Sequence, residues 1–439
     1  MADSMRLAKS ASISLIAKLI GFIIAIPTSI IVARYLGPSG KGVFAVLMTV
    51  TGIVLQLGNL GFHSSSVYFA AKYNEKTSSI ASILILFGAS IGLASGLGMF
   101  LLSYIFPKAI LGDIPRLFLL VALIGLPFAF VAQFLQNLFL GMQRIYEYNF
   151  VDLAAKFASL GGIIILFFFF RKGVLTLLGL TTLIAILTCL AFLSLIKQQV
   201  HLTLKFDRSV FRGMLRYGFK AYLSALFAFL VIRSDMILIN YFLGTKAAGL
   251  YSLAVGSADW LLLVPATVGA MLFPKATAIA DETSELTRKV SRHIVVLMVF
   301  LCIAVAIVIK PVIVFVFGQA FAPSAGSLLL LLPGIFFLSL EMIYMQDFAA
   351  RGMPPIGYIS PALGFLVNIA LNLVLIPRYG LLAASVTSSM AYFLMFVVNL
   401  VYLKATSGSS YSDILILKPG EFGEFVAMWR NKLVALRAG

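Results

Sequence analysis

Long apolar stretches alternate with short polar or charged segments along almost the whole chain of 439 residues. A helix needs about 20 apolar residues to cross the hydrocarbon core of a bilayer, and each of these stretches is long enough. Charges, glycines or prolines bound the stretches, so the pattern predicts twelve membrane-spanning helices. Their predicted ranges are 12–33, 43–66, 78–105, 117–140, 148–170, 174–196, 218–242, 248–273, 293–317, 324–349, 356–376 and 380–403.

A segment that follows the first predicted span recurs after the seventh. Tyr35-Leu-Gly-Pro-Ser-Gly-Lys-Gly-Val-Phe44 aligns without a gap with Phe242-Leu-Gly-Thr-Lys-Ala-Ala-Gly-Leu-Tyr251, an offset of 207 residues (35 to 242). The same offset relates Arg171-Lys-Gly173 to Arg378-Tyr-Gly380. Many transporters consist of two such related bundles with the binding site between them. We therefore predict an all-α polytopic membrane protein in which two six-helix lobes surround a central cavity.

The repeat and the charge pattern also predict the domain boundaries. We expect an N-terminal lobe over 1–196, a cytoplasmic linker over 197–217, a C-terminal lobe over 218–403 and a cytoplasmic tail over 404–439. Apolar side chains recur at helical spacing in the tail, at Phe422, Phe425, Val426, Trp429, Leu433 and Leu436. With basic residues among them, this spacing predicts an amphipathic helix on the membrane surface, and a frayed tail is the alternative.

The composition agrees with a chain that lies mostly in lipid, because 61% of the residues are hydrophobic and only 11% are charged. When the connections are assigned alternately to two sides, 20 of the 33 Lys and Arg fall on the side of the N-terminus and 8 on the other. Basic residues stay cytoplasmic, so we expect a multi-pass protein of the inner (plasma) membrane with both termini inside. Orientation and anionic lipid headgroups account for the net charge of +17, and nucleic acid is not expected as a partner.

Several short motifs carry a resemblance to a known family. The motifs are Ala33 to Phe44, Tyr241 to Ala254, Leu272-Phe-Pro274, Phe317-Gly-Gln-Ala-Phe321 and Ile376-Pro-Arg-Tyr-Gly-Leu-Leu-Ala-Ala-Ser385. Their order over twelve spans resembles the polysaccharide-transporter branch of the multidrug/oligosaccharidyl-lipid/polysaccharide exporter superfamily, which includes O-antigen flippases. The resemblance covers essentially the whole chain.

This resemblance implies a function and a set of partners. The substrate would be a polyprenyl-pyrophosphate-linked oligosaccharide, an O-antigen or other surface polysaccharide repeat unit, flipped from the cytoplasmic to the outer leaflet by alternating access. Further expected partners are membrane lipids, a polysaccharide polymerase and a chain-length regulator. Two other readings remain open, an H⁺- or Na⁺-coupled small-molecule (multidrug) exporter of the same superfamily and a membrane enzyme.

Basic residues within the spans are the candidates for binding the pyrophosphate. A charge at mid-membrane costs about 2.5–3.5 kcal/mol, so such residues must face water, the bundle interior or each other. Lys and Arg are also the side chains that neutralise phosphate oxygens. The predicted substrate-binding residues are Lys18, Lys156, Arg233, Arg34 and Lys220. Lys156 has an alternative role in an i,i+4 ion pair with Asp152, Arg34 as an interface anchor, and Lys220 as the start of a span.

Acidic residues within the spans suggest coupling to an ion gradient. Asp235, Glu341 and Asp259 are predicted to bind a proton or Na⁺, and the alternative for Asp235 is that it only neutralises Arg233 or a neighbouring helix. No other cofactor and no metal site are expected, because His63, His201 and His293 are scattered. The chain contains no Gly-x-x-x-x-Gly-Lys-[ST] motif, no Asp-x-Asp and no long outer loop, so we expect neither ATP hydrolysis nor another enzymatic activity.

Overall fold

The computed structural model describes residues 2–170, 173–200, 202, 206–278, 283–418 and 420–421, and these residues contain helices and no β-strand. The helices are α1 (Ala2–Gly58), α2 (Phe62–Lys72), α3 (Thr77–Ile105), α4 (Pro107–Ile110), α5 (Arg116–Ile124), α6 (Leu126–Gly141), α7 (Ile145–Ile164), α8 (Val174–Lys197), α9 (Arg208–Arg233), α10 (Asp235–Ala278), α11 (Thr283–Phe317), α12 (Ser324–Ala350), α13 (Ile356–Tyr379), α14 (Leu381–Ser407) and α15 (Tyr411–Leu415). We refer to α1–α8 as the N-terminal lobe and to α9–α14 as the C-terminal lobe.

The described helices contain the predicted number of crossings. Ten helical stretches are long and apolar enough to span a membrane. Two of them, Ile13–Gly58 with 46 residues and Arg208–Leu272 with 65, are too long for a single crossing. Gly37 interrupts the first and Gly244 the second, each with a positive φ that glycine adopts without strain. The predicted all-α polytopic fold with twelve crossings is confirmed.

The two copies of the repeated motif contact each other between the lobes. A Cβ added to Gly42 would lie 1.7 Å from the carbonyl oxygen of Thr245, and one added to Gly249 would lie 1.8 Å from that of Pro38. The 207-residue offset relates Gly42 to Gly249 and Pro38 to Thr245, so this contact is symmetric. The repeat in the sequence is therefore also a structural repeat. We call this contact the distal seam, because it lies on the side opposite the start of α1.

Helix α9, the first helix of the C-terminal lobe, also packs against the N-terminal lobe. It begins at Arg208, within the predicted linker, and its first half shares a hydrophobic core with the N-terminal lobe. The backbones of Gly61 and Gly218 touch there, and the Tyr222 hydroxyl donates to the Leu57 carbonyl at 2.9 Å. Further along, the Ser224 hydroxyl donates to the Gly357 carbonyl in the C-terminal lobe at 2.7 Å. These proximal contacts lie on the side where α1 begins.

The described part of the tail is docked on the C-terminal lobe. A capping box between Ser410 and Asp413 starts α15, and Ile414 is fully buried. The Arg292 side chain donates to Glu421 at 2.8 Å, and this bond holds the pKa of the Glu421 carboxyl at about 2. The predicted amphipathic helix falls on residues 422–436, which lie outside the described residues.

Candidate functional site

One of the predicted basic residues, Arg233, lines a cavity between the lobes. The cavity has a volume of about 310 Å³. Its walls come from α1, through Met48, Thr49 and Gly52, and from α9 and α10 of the other lobe. The Arg233 guanidinium donates to the Asp259 carboxylate at 2.8 Å, and the two side chains are 36% and 35% exposed. The Arg233 guanidinium is therefore accessible from the cavity, and an anion that enters the cavity would compete with Asp259 for it.

A second cavity of about 330 Å³ lies nearer the proximal side, also between the lobes. Ser14, Leu15 and Lys18 of α1 form one wall, and residues of α10 from Leu263 to Met271 form the other. Lys18 is exposed and has no ion-pair partner among the described residues. An anion that enters this cavity could therefore bind the ammonium group of Lys18.

Lys156 reaches the same stretch of α1 from α7. Its ammonium bonds to Asp152 at 2.7 Å, as the i,i+4 spacing suggested, and the side chains are 40% and 38% exposed. A Cβ on Gly21 would lie 2.6 Å from that ammonium, so the lysine head lies against the α1 backbone, less than one turn from Lys18. The ion pair does not remove Lys156 from solvent, so the residue is both paired and accessible.

An aromatic contact lies between the two cavities. The rings of Phe22 in α1 and Trp260 in α10 meet edge to face, with 6.2 Å between their centroids. Along α10, Trp260 lies between Gly256, which lines the Arg233 cavity, and Leu263, which lines the Lys18 cavity. The two rings therefore lie between the two cavities along these helices.

The predicted ion-coupling residue Asp235 lies in a separate, fully buried network. Its carboxylate accepts hydrogen bonds from the Tyr251 hydroxyl at 2.8 Å, from the Asn372 amide at 2.6 Å and from the Ser388 hydroxyl. Asn372 also bonds to Asn368 and accepts from Thr387. The six members come from α10, α13 and α14, and all six are at most 1% exposed. Carboxylate, amide and hydroxyl oxygens are the ligands that hard cations prefer.

A helix break separates Asp235 from Arg233. Helix α9 ends at Arg233, Ser234 interrupts the helix, and α10 starts at Asp235. The φ and ψ of Ser234 nevertheless stay in the α-helical region, and residues two apart on a helix point to different faces. Arg233 therefore lines the cavity between the lobes, while Asp235 lies in the core of the C-terminal lobe. Asp235 does not neutralise Arg233, because Asp259 does.

The remaining predicted residues lie away from both cavities. Arg34 donates to backbone carbonyls at the end of α11, at the distal side. Lys220 is exposed on the proximal part of α9, and Glu341 is buried in α12 with no hydrogen-bond partner for Oε1 among the described residues. The predicted role of each of these three residues stays a prediction.

Sequence reasoning missed the polar partners of Asp235. Asn368 and Asn372 are spaced i,i+4 within an apolar span, and Thr387 and Ser388 lie in the next span. A search for amide and hydroxyl residues at helical spacing within spans would have found them. Their convergence on Asp235 required the packing of α10 against α13 and α14.

Comparison with known proteins identifies related sequences. A family model described as "Polysaccharide biosynthesis protein" matches residues 7–279. A putative O-antigen transporter of Shigella flexneri is 24% identical over 390 residues, which cover 84% of this chain and 90% of that protein. An uncharacterized membrane protein of Methanocaldococcus jannaschii is 24% identical over 238 residues, which cover 52% of this chain and 47% of that protein.

Solved structures of the same fold come from two groups of transporters. The lipid II flippase MurJ in an inward closed conformation superposes with a TM-score of 0.69 at 16% identity, covering 91% of this chain and 88% of MurJ. An inward-facing multidrug resistance MATE transporter of the MOP superfamily gives 0.69 at 15% identity, covering 89% and 96%. At these identities the similarity establishes the fold alone.

Proposed function

This chain belongs to the polysaccharide biosynthesis protein family, and we propose that it is a flippase for polyprenyl-pyrophosphate-linked oligosaccharide. It would move the lipid from the cytoplasmic to the outer leaflet of the plasma membrane by alternating access, with both termini cytoplasmic, and deliver it to a polysaccharide polymerase and its chain-length regulator. The observation that carries the proposal is Arg233, which pairs with Asp259 and lines a cavity between the two lobes. The similarity to a putative O-antigen transporter and to a lipid II flippase supports it.

The basic residues divide the passage of the diphosphate into two stages. The headgroup first meets Lys18 and Lys156 near the proximal cavity, where α1 carries the free ammonium of Lys18. It then passes Phe22 and Trp260 and takes the place of Asp259 on the Arg233 guanidinium. Charge-assisted bonds to a phosphate then replace those to the carboxylate, and the greater charge of the diphosphate favours the exchange while the unpaired Asp259 opposes it. The polyprenyl tail stays in lipid throughout.

The flippase proposal can be tested with the purified protein in liposomes. The probe is a polyprenyl diphosphate carrying a short oligosaccharide, and periodate, which does not cross the membrane, oxidises the sugar only in the outer leaflet. We expect the protein to expose the inner-leaflet pool to periodate, and Lys18→Gln to slow this exposure about tenfold, as loss of one charge-assisted contact predicts. A protein that extrudes a cationic dye but leaves the lipid pool protected would instead be a small-molecule exporter.

We propose that Asp235 and its partners bind the coupling ion, Na⁺ or H⁺. A bound cation would neutralise the carboxylate and offset the cost of burying it. Because Asp235 is fully buried among α10, α13 and α14, its ionic state affects how these helices pack. Arg233 lies only two residues earlier in the chain, so a change in this packing would also move Arg233. Release of the ion would in this way change the position of Arg233 at the substrate site.

The ion proposal predicts the behaviour of Asp235→Asn. The amide has the same shape and keeps hydrogen-bond partners, so we expect the variant to fold. Wild-type protein should gain thermal stability when NaCl replaces choline chloride, or its transport rate should follow the proton gradient, and the variant should show neither response. Asp113→Asn, on an exposed acid, is the matched control and should respond like the wild type. An unchanged Na⁺ and proton response in Asp235→Asn would exclude this site.

A further inference from the structure

Arg34 joins the two lobes at the distal side. It lies near the end of the first crossing, before Gly37, and its Nε donates to the Val316 carbonyl at 2.6 Å. Its Nη2 donates to the carbonyl of Phe315, the preceding residue. Both acceptors belong to the last turn of α11, whose carbonyls have no partner within the helix. One guanidinium from the N-terminal lobe therefore caps a helix of the C-terminal lobe.

The geometry of this cap resembles that of phosphate recognition. The guanidinium uses two of its N–H groups on two neighbouring oxygens, which is the arrangement in which arginine binds a phosphate. The end of a helix carries a partial negative charge, so the carbonyls attract the cation as a weak anion would. The arginine remains exposed in this position, so its guanidinium is not enclosed by the protein.

A second cation lies at the same helix end. Lys41 is 8% exposed, and its ammonium lies 5.9 Å from the ring centroid of Phe317, the last residue of α11. The ammonium also donates to the Ser29 hydroxyl at 3.3 Å. No acidic side chain pairs with Arg34 or Lys41 among the described residues. The distal seam therefore holds two cations whose contacts are only neutral or dipolar.

We propose that Arg34 is a latch on the distal seam that exchanges the α11 carbonyls for the diphosphate of the departing substrate. With the seam closed, the carbonyls of Phe315 and Val316 hold the guanidinium. When a diphosphate reaches the seam, its full charges replace the partial charges of the carbonyls, and the N-terminal lobe releases α11. Lys41 then joins Arg34 in holding the anion. Opening on the outer side is thereby linked to the arrival of substrate, and this linkage rests on the proposed function.

The latch can be tested by the accessibility of the distal seam. Ala248 is fully buried beside Gly249, so Ala248→Cys, in a chain with Cys189 and Cys302 replaced by alanine, reports opening through a maleimide that cannot cross the membrane. Without substrate, we expect Arg34→Gln to be labelled about tenfold faster than the parent, because two charge-assisted bonds are lost. Arg34→Lys keeps the positive charge but lacks the planar two-pronged geometry of the guanidinium, so its labelling rate should be intermediate. Arg378→Gln, which replaces an exposed arginine in the last turn of α13, is the control and should match the parent.

Addition of polyprenyl diphosphate tests the exchange. We expect the parent to be labelled faster with polyprenyl diphosphate than with phosphatidylglycerol, and Arg34→Gln to be fast in both lipids. Equal labelling of Arg34→Gln and the parent without substrate would overturn the latch. Binding of the diphosphate lipid, followed by Trp260 fluorescence in a chain with Trp429 replaced by phenylalanine, without faster labelling of the parent would overturn the exchange. Absence of binding would overturn the proposed function and the exchange with it, while the latch would still be decided by Arg34→Gln in substrate-free liposomes.

Discussion

Replacing Arg233 with glutamine is expected to lower the rate of lipid translocation by about tenfold to a hundredfold, which corresponds to the loss of one charge-assisted contact of roughly 1.5–3 kcal/mol. Arg233 is the basic residue that lines the cavity between α1 and the C-terminal lobe, and glutamine can neither neutralise a diphosphate nor bind it through a charged fork. The measurement is the periodate assay in liposomes, at matched amounts of protein.

The single substitution alone does not separate binding from structure, because it leaves the Asp259 carboxylate without its partner. Removing one member of a partly buried pair destabilises a protein more than removing both. We therefore expect Arg233→Gln to lower the Tm, and the double variant Arg233→Gln with Asp259→Asn to recover most of that loss.

Transport should not recover with the Tm. The double variant restores a neutral, satisfied cavity wall but offers no positive charge to the substrate. Asp259→Asn alone keeps the positive charge and should bind polyprenyl diphosphate more tightly, since no carboxylate competes for the guanidinium. Full transport by the double variant would mean that the pair is only structural, and the role of Arg233 in substrate binding would be abandoned.

Substituting alanine for Gly42 is expected to abolish transport and to lower stability by about 1–3 kcal/mol, the range typical of an overpacked interior. The new Cβ would lie 1.7 Å from a backbone carbonyl oxygen, and a backbone atom cannot move aside as a side chain can. The two lobes would have to separate along the distal seam. A seam that cannot close leaves the cavity open to the distal side, so the alternating cycle stops.

Because the seam is symmetric, the same effect is expected from the repeat-related glycine. Gly249→Ala places its Cβ 1.8 Å from the Pro38 carbonyl oxygen and should reproduce the defect of Gly42→Ala in both Tm and transport. Gly179→Ala is the matched control, because a Cβ there meets no atom within 4 Å in helix α8. Wild-type transport and Tm in Gly42→Ala would show that the working protein never closes the seam to this separation.

Much of the fold is readable from the sequence because a bilayer restricts what a chain can do. Backbone groups in lipid must be satisfied within helices, so the number of long apolar stretches gives the number of crossings. Gly37 and Gly244 show a limit of counting crossings in this way. At each of them the chain turns at a single residue, so one continuous helical stretch contains two crossings. The start of α9 at Arg208 is a second limit, since its first turns are stabilised by packing on the N-terminal lobe rather than by lipid.

The candidate site was only partly readable. The cost of a charge in lipid indicated that Arg233, Asp235 and Asp259 need polar surroundings. In the structure Arg233 and Asp259 pair with each other, and Asp235 accepts hydrogen bonds from polar side chains. The sequence could not assign the partners. Arg233 pairs with a residue 26 positions away, and Asp235 accepts bonds from side chains up to 153 positions away.

The sequence by itself determined that this protein is a helical membrane bundle with an internal repeat, because hydrophobicity and repetition are properties of the chain alone. It also determined that some charges lie within spans, where facing lipid would be costly. Only the packing of the lobes decides that Arg233 lines a cavity and that Asp235, two residues later, is fully buried. The reason is geometric, since residues two apart on a helix point to different faces, and a linear pattern does not specify which neighbouring helices pack against each face.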